Sequence, residues 1–349
     1  MTQSPSFSTA SLSDFMITDA SDDESPTDPA TVFFHDRFYF EDGNIEVLCG
    51  GDTLFRAHTS ILSLHSPVLR GMFAKANLAA AASPNGIPRI QSLDSVNDFV
   101  TLLKVIYLPE YAAPLVLHQT VPLITSSCRF PERNKVPNFA VFSSLLRMAT
   151  KYEMPAVRSR MLDVVHDAYP AAFEGLIPSK AVGERVFSEP TPHPNEVLDL
   201  FVRQGFTSAL PVAYYMAVRG GGDLLMGERL PTNARLSPRI LQVAVKGLIA
   251  LRELELEEAH RLVYGLRGSH PCSSPGCTSK GLGGPQARRV VDLIVDSTSP
   301  GRILLEAPPF RAVCGGEFCG NGLEWLEVGY ASMRKKVWGM LPNMFGLEG

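Results

Sequence analysis

Two short runs of strand-forming residues, Ile45 to Cys49 and Thr53 to Ala57, flank the tripeptide Gly50-Gly51-Asp52. Glycine reaches the positive φ that a tight turn needs, so this pattern predicts a β-hairpin. From Ser60 to Phe73 the apolar positions Ile61, Leu62, Leu64, Val68, Leu69, Met72 and Phe73 recur at near-helical spacing. Pro67 suits the first turn of a helix, which puts a break at His65-Ser66 and predicts two short helices. The alanine-rich piece Asn77 to Ser83 prolongs the second of them, and Pro84-Asn85-Gly86 ends it. Pro88 to Leu93 reads as a further strand, and Val96 to Tyr107 as an amphipathic helix through Phe99, Leu102, Leu103, Ile106 and Tyr107. After a proline-rich loop over 109–138, helical faces return at Phe142, Leu145, Leu146, Ala149 and Tyr152, and again at Val157, Met161, Leu162, Val165 and Ala168. Hairpin, helix pair, strand and helices in this order make the first half α+β.

Beyond a linker over 176–194 the pattern turns helical: Glu196 to Gln204, Ala209 to Arg219, Pro238 to Leu266, Ala287 to Asp296 and Leu323 to Met340. Ser237-Pro238 supplies an N-cap and a proline at the first helical position. The charge run Glu253 to Glu258 reads as a solvated face. Trp325 and Trp338 are expected to pin the last helix to the core. No internal repeat is present.

Composition narrows the function classes. At 349 residues and 45% apolar, the chain can build sizeable cores. A formal net charge of −4 leaves no basic excess for a phosphate backbone or an anionic membrane, so neither nucleic acid nor membrane is an expected partner. The longest strongly apolar stretch, Leu210 to Val218, is broken by Pro211 and far shorter than a bilayer span. Residues 1–30 are rich in Ser, Thr, Asp and Pro and contain no Lys or Arg, so they read as a disordered acidic tail rather than a targeting signal. Six cysteines are too sparse for a disulfide scaffold, which points to a reducing compartment, cytoplasmic or nuclear.

The segments "IEVLCGGDTLFRAHTSILSLHSPVLRGMF", "IPRIQSLDSVNDFVTLLKVIY" and "FSSLLRMATKYEMPAVRSRM" carry dispersed motifs in a fixed order. Together they resemble a BTB/POZ domain, with Phe55, His58, Ser66, Pro67, Lys151 and Tyr152 at the signature places. The resemblance implies a small sheet flanked by helices, and a protein-interaction module without catalysis that commonly forms a homodimer. In that setting Phe55 is expected to close the hairpin onto the helical core, and His58 to hydrogen-bond backbone otherwise buried and unpaired. Val32 to Phe40 (VFFHDRFYF) suits either a swapped or edge strand or a local cover for the hairpin. Cullin-binding members carry an apolar-x-Glu motif after the second helix, and Ala74 to Pro88 contains no Glu. A substrate adaptor of a cullin-type ubiquitin ligase is therefore the alternative reading. The whole layout resembles a group of fungal proteins with an acidic tail, one such domain and a helical extension. The organisation expected is a tail over 1–30, the BTB/POZ-like domain over 31–175, the linker over 176–194 and a mainly α-helical extension over 195–349.

Cys272 and Cys277, then Cys314 and Cys319, form two pairs of x4 spacing in that extension. Four thiolates suit a tetrahedral structural Zn²⁺; ordinary thiols or a disulfide are the other readings, and no further cofactor is expected. The segment "CGGEFCGNG" also resembles the Cys-Gly-Asn-Gly loop of diaminopimelate-epimerase-like racemases, which use two cysteines on opposite faces of an amino acid. No second cysteine in a matching glycine turn is evident and the surroundings read helical, so an epimerase-like domain is the weaker reading.

Overall fold

The structure is a computed structural model, and it describes residues 15–16, 32–79, 86–108, 138–173, 187, 192–219, 235–268, 284–295, 304, 308–314 and 318–347. Pro84-Asn85, the loop residues 109–137, most of the 176–194 linker, Cys272 and Cys277 lie outside the described residues. The chain divides into two compact units, Met1–Asp163 and Val164–Gly349. The division falls inside a helix rather than in the expected linker, because the apolar stripe of Pro155–Ala168 continues past it through Val165 and Ala168.

In the first unit the strands are β1 (Phe15–Met16), β2 (Phe33–Tyr39), β3 (Ile45–Cys49), β4 (Thr53–Ala57) and β5 (Arg89–Ser92). The helices are α1 (Thr59–His65), α2 (Pro67–Ala79), α3 (Val96–Tyr107), α4 (Phe139–Lys151) and α5 (Pro155–Ala168). The strands form one mixed sheet in the order β1-β5-β3-β4-β2. β3 and β4 are the expected hairpin, with Gly50 (φ 64°) and Gly51 (φ 87°) supplying the left-handed turn. β5 pairs parallel with β3, and β2 parallel with β4. Ile45, Val47, Cys49, Phe55 and Ala57 alternate onto one buried face, where Leu62, Leu69, Phe99, Leu102, Leu103, Phe142 and Leu146 complete a dry core. The break at His65-Ser66 is present, and α3 has the predicted ends, its N-cap Ser95 accepting the Asp98 N–H.

Phe15–Met16 departs from expectation. Within the stretch read as a disordered tail, it pairs antiparallel with β5, Phe15 opposite Ser92 and Met16 opposite Gln91. Composition averages over thirty residues and misses a dipeptide that an open sheet edge can hold.

The second unit contains α6 (Pro194–Gln204), α7 (Leu210–Arg219), α8 (Pro238–Gly268), α9 (Gly284–Ile294), α10 (Phe310–Cys314) and α11 (Gly320–Met344). α7 is buried on every side from Val212 to Val218, as a helix apolar all round must be, and α6, α8 and α11 pack on it. The expected solvated face of α8 is corrected here. Glu255 (2% exposed) and Glu258 (7%) point inward while Leu256 is 45% exposed. Helical phase puts Leu251, Glu255, Glu258 and Ala259 on one stripe, and charge alone does not report phase. Cations meet the buried carboxylates: Arg252 stands 3.6 Å from Glu255, while Lys336 and Arg261 both reach Glu258 at 2.5 Å. Trp338 is buried and meets Phe173 edge-on at 6.0 Å, consistent with a pinned last helix.

Phe345, just past α11, stacks on Tyr214 of α7 with ring centres 5.0 Å apart. A Cβ on Gly247 of α8 would lie 2.0 Å from the Phe345 ring, so this glycine is required for close approach. Gly339, by contrast, faces open space. Gly247→Ala is expected to destabilise the chain by about 1–3 kcal/mol despite its better helix propensity. Gly339→Ala should stabilise it by up to about 1 kcal/mol, and paired thermal melts of the two variants read the opposite signs directly.

Candidate interaction site

The signature residues fall into two groups. Phe55 is fully buried between His35 (rings 4.8 Å apart, stacked) and Phe99 of α3 (5.0 Å, edge-on), so β4 is fastened to the helices by aromatic contact. His58, at the β4–α1 junction, behaves differently from its expected role. Its imidazole does not bond backbone; Nδ1 lies 3.1 Å from the Tyr107 hydroxyl and Nε2 3.2 Å from Asp42. The backbone N–H of His58 instead donates to Tyr107 Oη at 2.9 Å. Tyr107 is the last residue of α3, and its ring stacks on Phe40 at 4.9 Å. Burial pushes its phenol pKa up; the bond from the His58 N–H opposes this and the Asp42 charge adds to it. The sequence offers no sign of Tyr107 as a partner, because 49 residues separate the two.

Ser66, Lys151 and Tyr152 converge. Ser66 Oγ, fully buried, donates to the Tyr152 carbonyl at 2.5 Å and accepts the Leu69 N–H at 3.0 Å, joining the α1–α2 corner to the end of α4. Pro67 opens α2 directly after it. The Tyr152 hydroxyl donates a short hydrogen bond to Asp94 Oδ2, and Lys151 Nζ meets Asp94 Oδ1 at 3.0 Å. Ser92 Oγ donates to the same carboxylate at 2.9 Å. Asp94 therefore gathers β5 and α4 around one nearly buried carboxylate, its side chain 9% exposed. In the sequence Asp94 merely follows a strand pattern, with its two main partners 57 and 58 residues away.

Burial, and secondarily the Asp94 carboxylate, push the Tyr152 phenol well above its usual range. The Cys49 thiol beside this cluster rises to about 12, mainly through burial and then through Asp94, with Ser92 and Lys151 pulling the other way. Both groups thus favour their neutral, protonated forms, and the hydrogen bonds of the cluster join β5 to the end of α4.

A second polar set lies on the opposite face of the sheet. Glu46 of β3, 6% exposed, accepts Tyr39 Oη of β2 at 3.1 Å and the Arg89 guanidinium of β5 at 2.9 and 2.7 Å. Three strands are tied through one side chain. At the two ends of the sheet stand β1, paired with β5, and β2, paired with β4. There Phe33 is 58% and Phe34 59% exposed.

Of the four cysteines weighed for zinc, Cys314 ends α10 and is buried, and half-buried Cys319 is the N-cap of α11. Cys272 and Cys277 lie outside the described residues, among which no group of three or more His, Cys, Asp or Glu is placed to hold a metal. Gly320-Asn321-Gly322, the rest of the racemase-like loop, is the first turn of α11.

Residues 42–126 match the family model of the BTB/POZ domain. The match runs from the turn before β3 through α3 and stops before α4, which holds Lys151 and precedes Tyr152. No curated protein and no solved structure matches the chain. The chain thus carries a BTB domain, a small mixed sheet flanked by helices, followed by a mostly helical C-terminal region.

Asp94→Ala is expected to cost about 2–4 kcal/mol, since it removes the carboxylate that meets the Lys151 ammonium and accepts from the Tyr152 phenol. Tyr152→Phe added to that background should cost less than it does in the parent, and a urea double-mutant cycle measures the coupling. For Cys49, an unfolded thiol near pKa ~8.5 against a folded one near 12 means that folding favours the protonated form. Its stabilising contribution is complete below about pH 8.5 and is lost as pH rises toward 12. Urea midpoints should fall between roughly pH 9 and 11, and Cys49→Ala should flatten that slope.

Proposed function

We propose that this chain works by assembly: its BTB domain joins it to a second copy or to a partner protein, and the chain serves as a scaffold, adaptor or regulator. BTB domains mediate protein–protein interaction and oligomerisation and are not normally catalytic. The observation that carries the homotypic reading is β2. It stands at the edge of the sheet with Phe33 and Phe34 both more than half exposed at its start. An exposed strand edge with apolar ends is a template for pairing, and a patch that meets itself on a second copy gives an isologous contact.

Nothing of the residue chemistry favours a different class of partner. The net charge is −4, and no helix among the described residues is long and apolar enough to cross a membrane. The setting proposed is the cytoplasm or nucleus, on the sparse cysteines.

Light scattering on the full chain at tens of micromolar should return the mass of two chains. The Phe33→Asp/Phe34→Asp variant should return the mass of one with its thermal melt nearly unchanged, because both side chains are already exposed. A strictly monomeric parent chain would sink the homotypic reading.

A further inference from the structure

One face of α8 is exposed along most of the helix. At about 100° per residue, Lys246, Ile249, Glu253, Leu256, His260 and Tyr264 all fall within roughly 40° of a single line, and all six are exposed. The opposite line carries the buried Ala244, Leu251, Glu255 and Glu258. We propose that the exposed line is a second self-association surface, on which α8 of one chain pairs antiparallel with α8 of a second copy. It lies in the second unit and uses no residue of β2, so it stands or falls separately from the homotypic contact there.

Three observations carry it. The first is the spacing. Ile249 (55% exposed), Leu256 (45%) and Tyr264 (62%) follow one another at seven and eight residues, which keeps them in one row on a helix. Single exposed apolar side chains are ordinary on any surface, whereas a row at this period is the seam of a helix pair.

The second is the order of the charges, and it selects the occupant. Between the apolar positions stand Lys246 and Glu253. In a parallel pair in register, Lys246 would meet Lys246 and Glu253 would meet Glu253, like against like. Turned antiparallel about a twofold axis level with residue 251, Lys246 of each copy comes within one turn of Glu253 of the other, and Ile249 within one turn of Leu256. Each contact is made twice, as an isologous interface requires. The row is complementary to a copy of itself in this orientation.

The third is length. α8 has 31 residues, Pro238–Gly268, and the same axis sets residues 238–264 of the two copies side by side, a contact about 40 Å long at the helical rise. Nearly the whole helix takes part. Charged residues within a seam fix its orientation at a cost in stability, so this contact forms at higher concentration than the one at β2.

The test is sedimentation equilibrium of the full chain carrying Phe33→Asp/Phe34→Asp, which removes the β2 contact, from tens to several hundreds of micromolar. Its mass should rise with concentration toward that of two chains. Adding Lys246→Glu should weaken the association at least fivefold, because both symmetry-related pairs become repulsive, and adding Glu253→Lys to that variant should restore it. Thermal melts should barely move, since both positions are exposed. A mass of one chain at every concentration, a Lys246→Glu variant that associates as well as its background, or a charge swap that fails to restore pairing would overturn the proposal. The contact at β2 is judged separately by the same samples: a Phe33→Asp/Phe34→Asp chain that is already two chains at tens of micromolar, and falls to one on Lys246→Glu, assigns the dimer to α8 and removes it from β2.

Discussion

The hydrogen bond from Tyr152 to Asp94 is the contact on which the first unit depends. Asp94 comes just after β5, and Tyr152, 58 residues further along the chain, comes just after α4. Closing that contact fixes the end of β5, and through Ser66 and the Tyr152 carbonyl it also fixes the corner between α1 and α2. The loop-closure entropy of bringing these parts together is offset at a single buried carboxylate with three donors. The same site is unforgiving, because each donor is costly if left without its acceptor.

A sheet held this way presents a surface defined by its edges. The inner face is filled by helices, and the outer face is bound across three strands by Tyr39, Glu46 and Arg89. The strands at either end differ: β2 carries two exposed phenylalanines, and β5 is paired with β1.

The second unit uses a different device. α7 is a wholly apolar helix, and the helices around it put polar atoms inside as well as out. Glu258 is held between Arg261 and Lys336, joining α8 to α11, and Phe345 seats the C-terminal end of α11 against Tyr214 and Gly247. These contacts carry no known chemistry. They specify the register of α11 on α8.

By itself the sequence determined several local elements of the first unit almost to the residue, the hairpin, the break before Pro67 and the helix from Val96 to Tyr107, and it placed the apolar faces of α4 and α5. These are set by short-range physics, by glycine turns, proline positions, caps and the period of apolar residues, all of which lie within a few residues of the structure they cause. The signature residues were legible as types but not as partners. His58 bonds Tyr107 and Asp42 rather than backbone, and Asp94 was invisible as the acceptor of Lys151 and Tyr152, because a pairing across nearly sixty residues leaves no periodic trace. Only the tertiary structure decided which carboxylates of the Glu253–Glu258 run are buried, since helical phase against neighbouring helices settles that, and only it placed Phe15–Met16 on β5, since an open edge accepts a strand that local sequence does not announce.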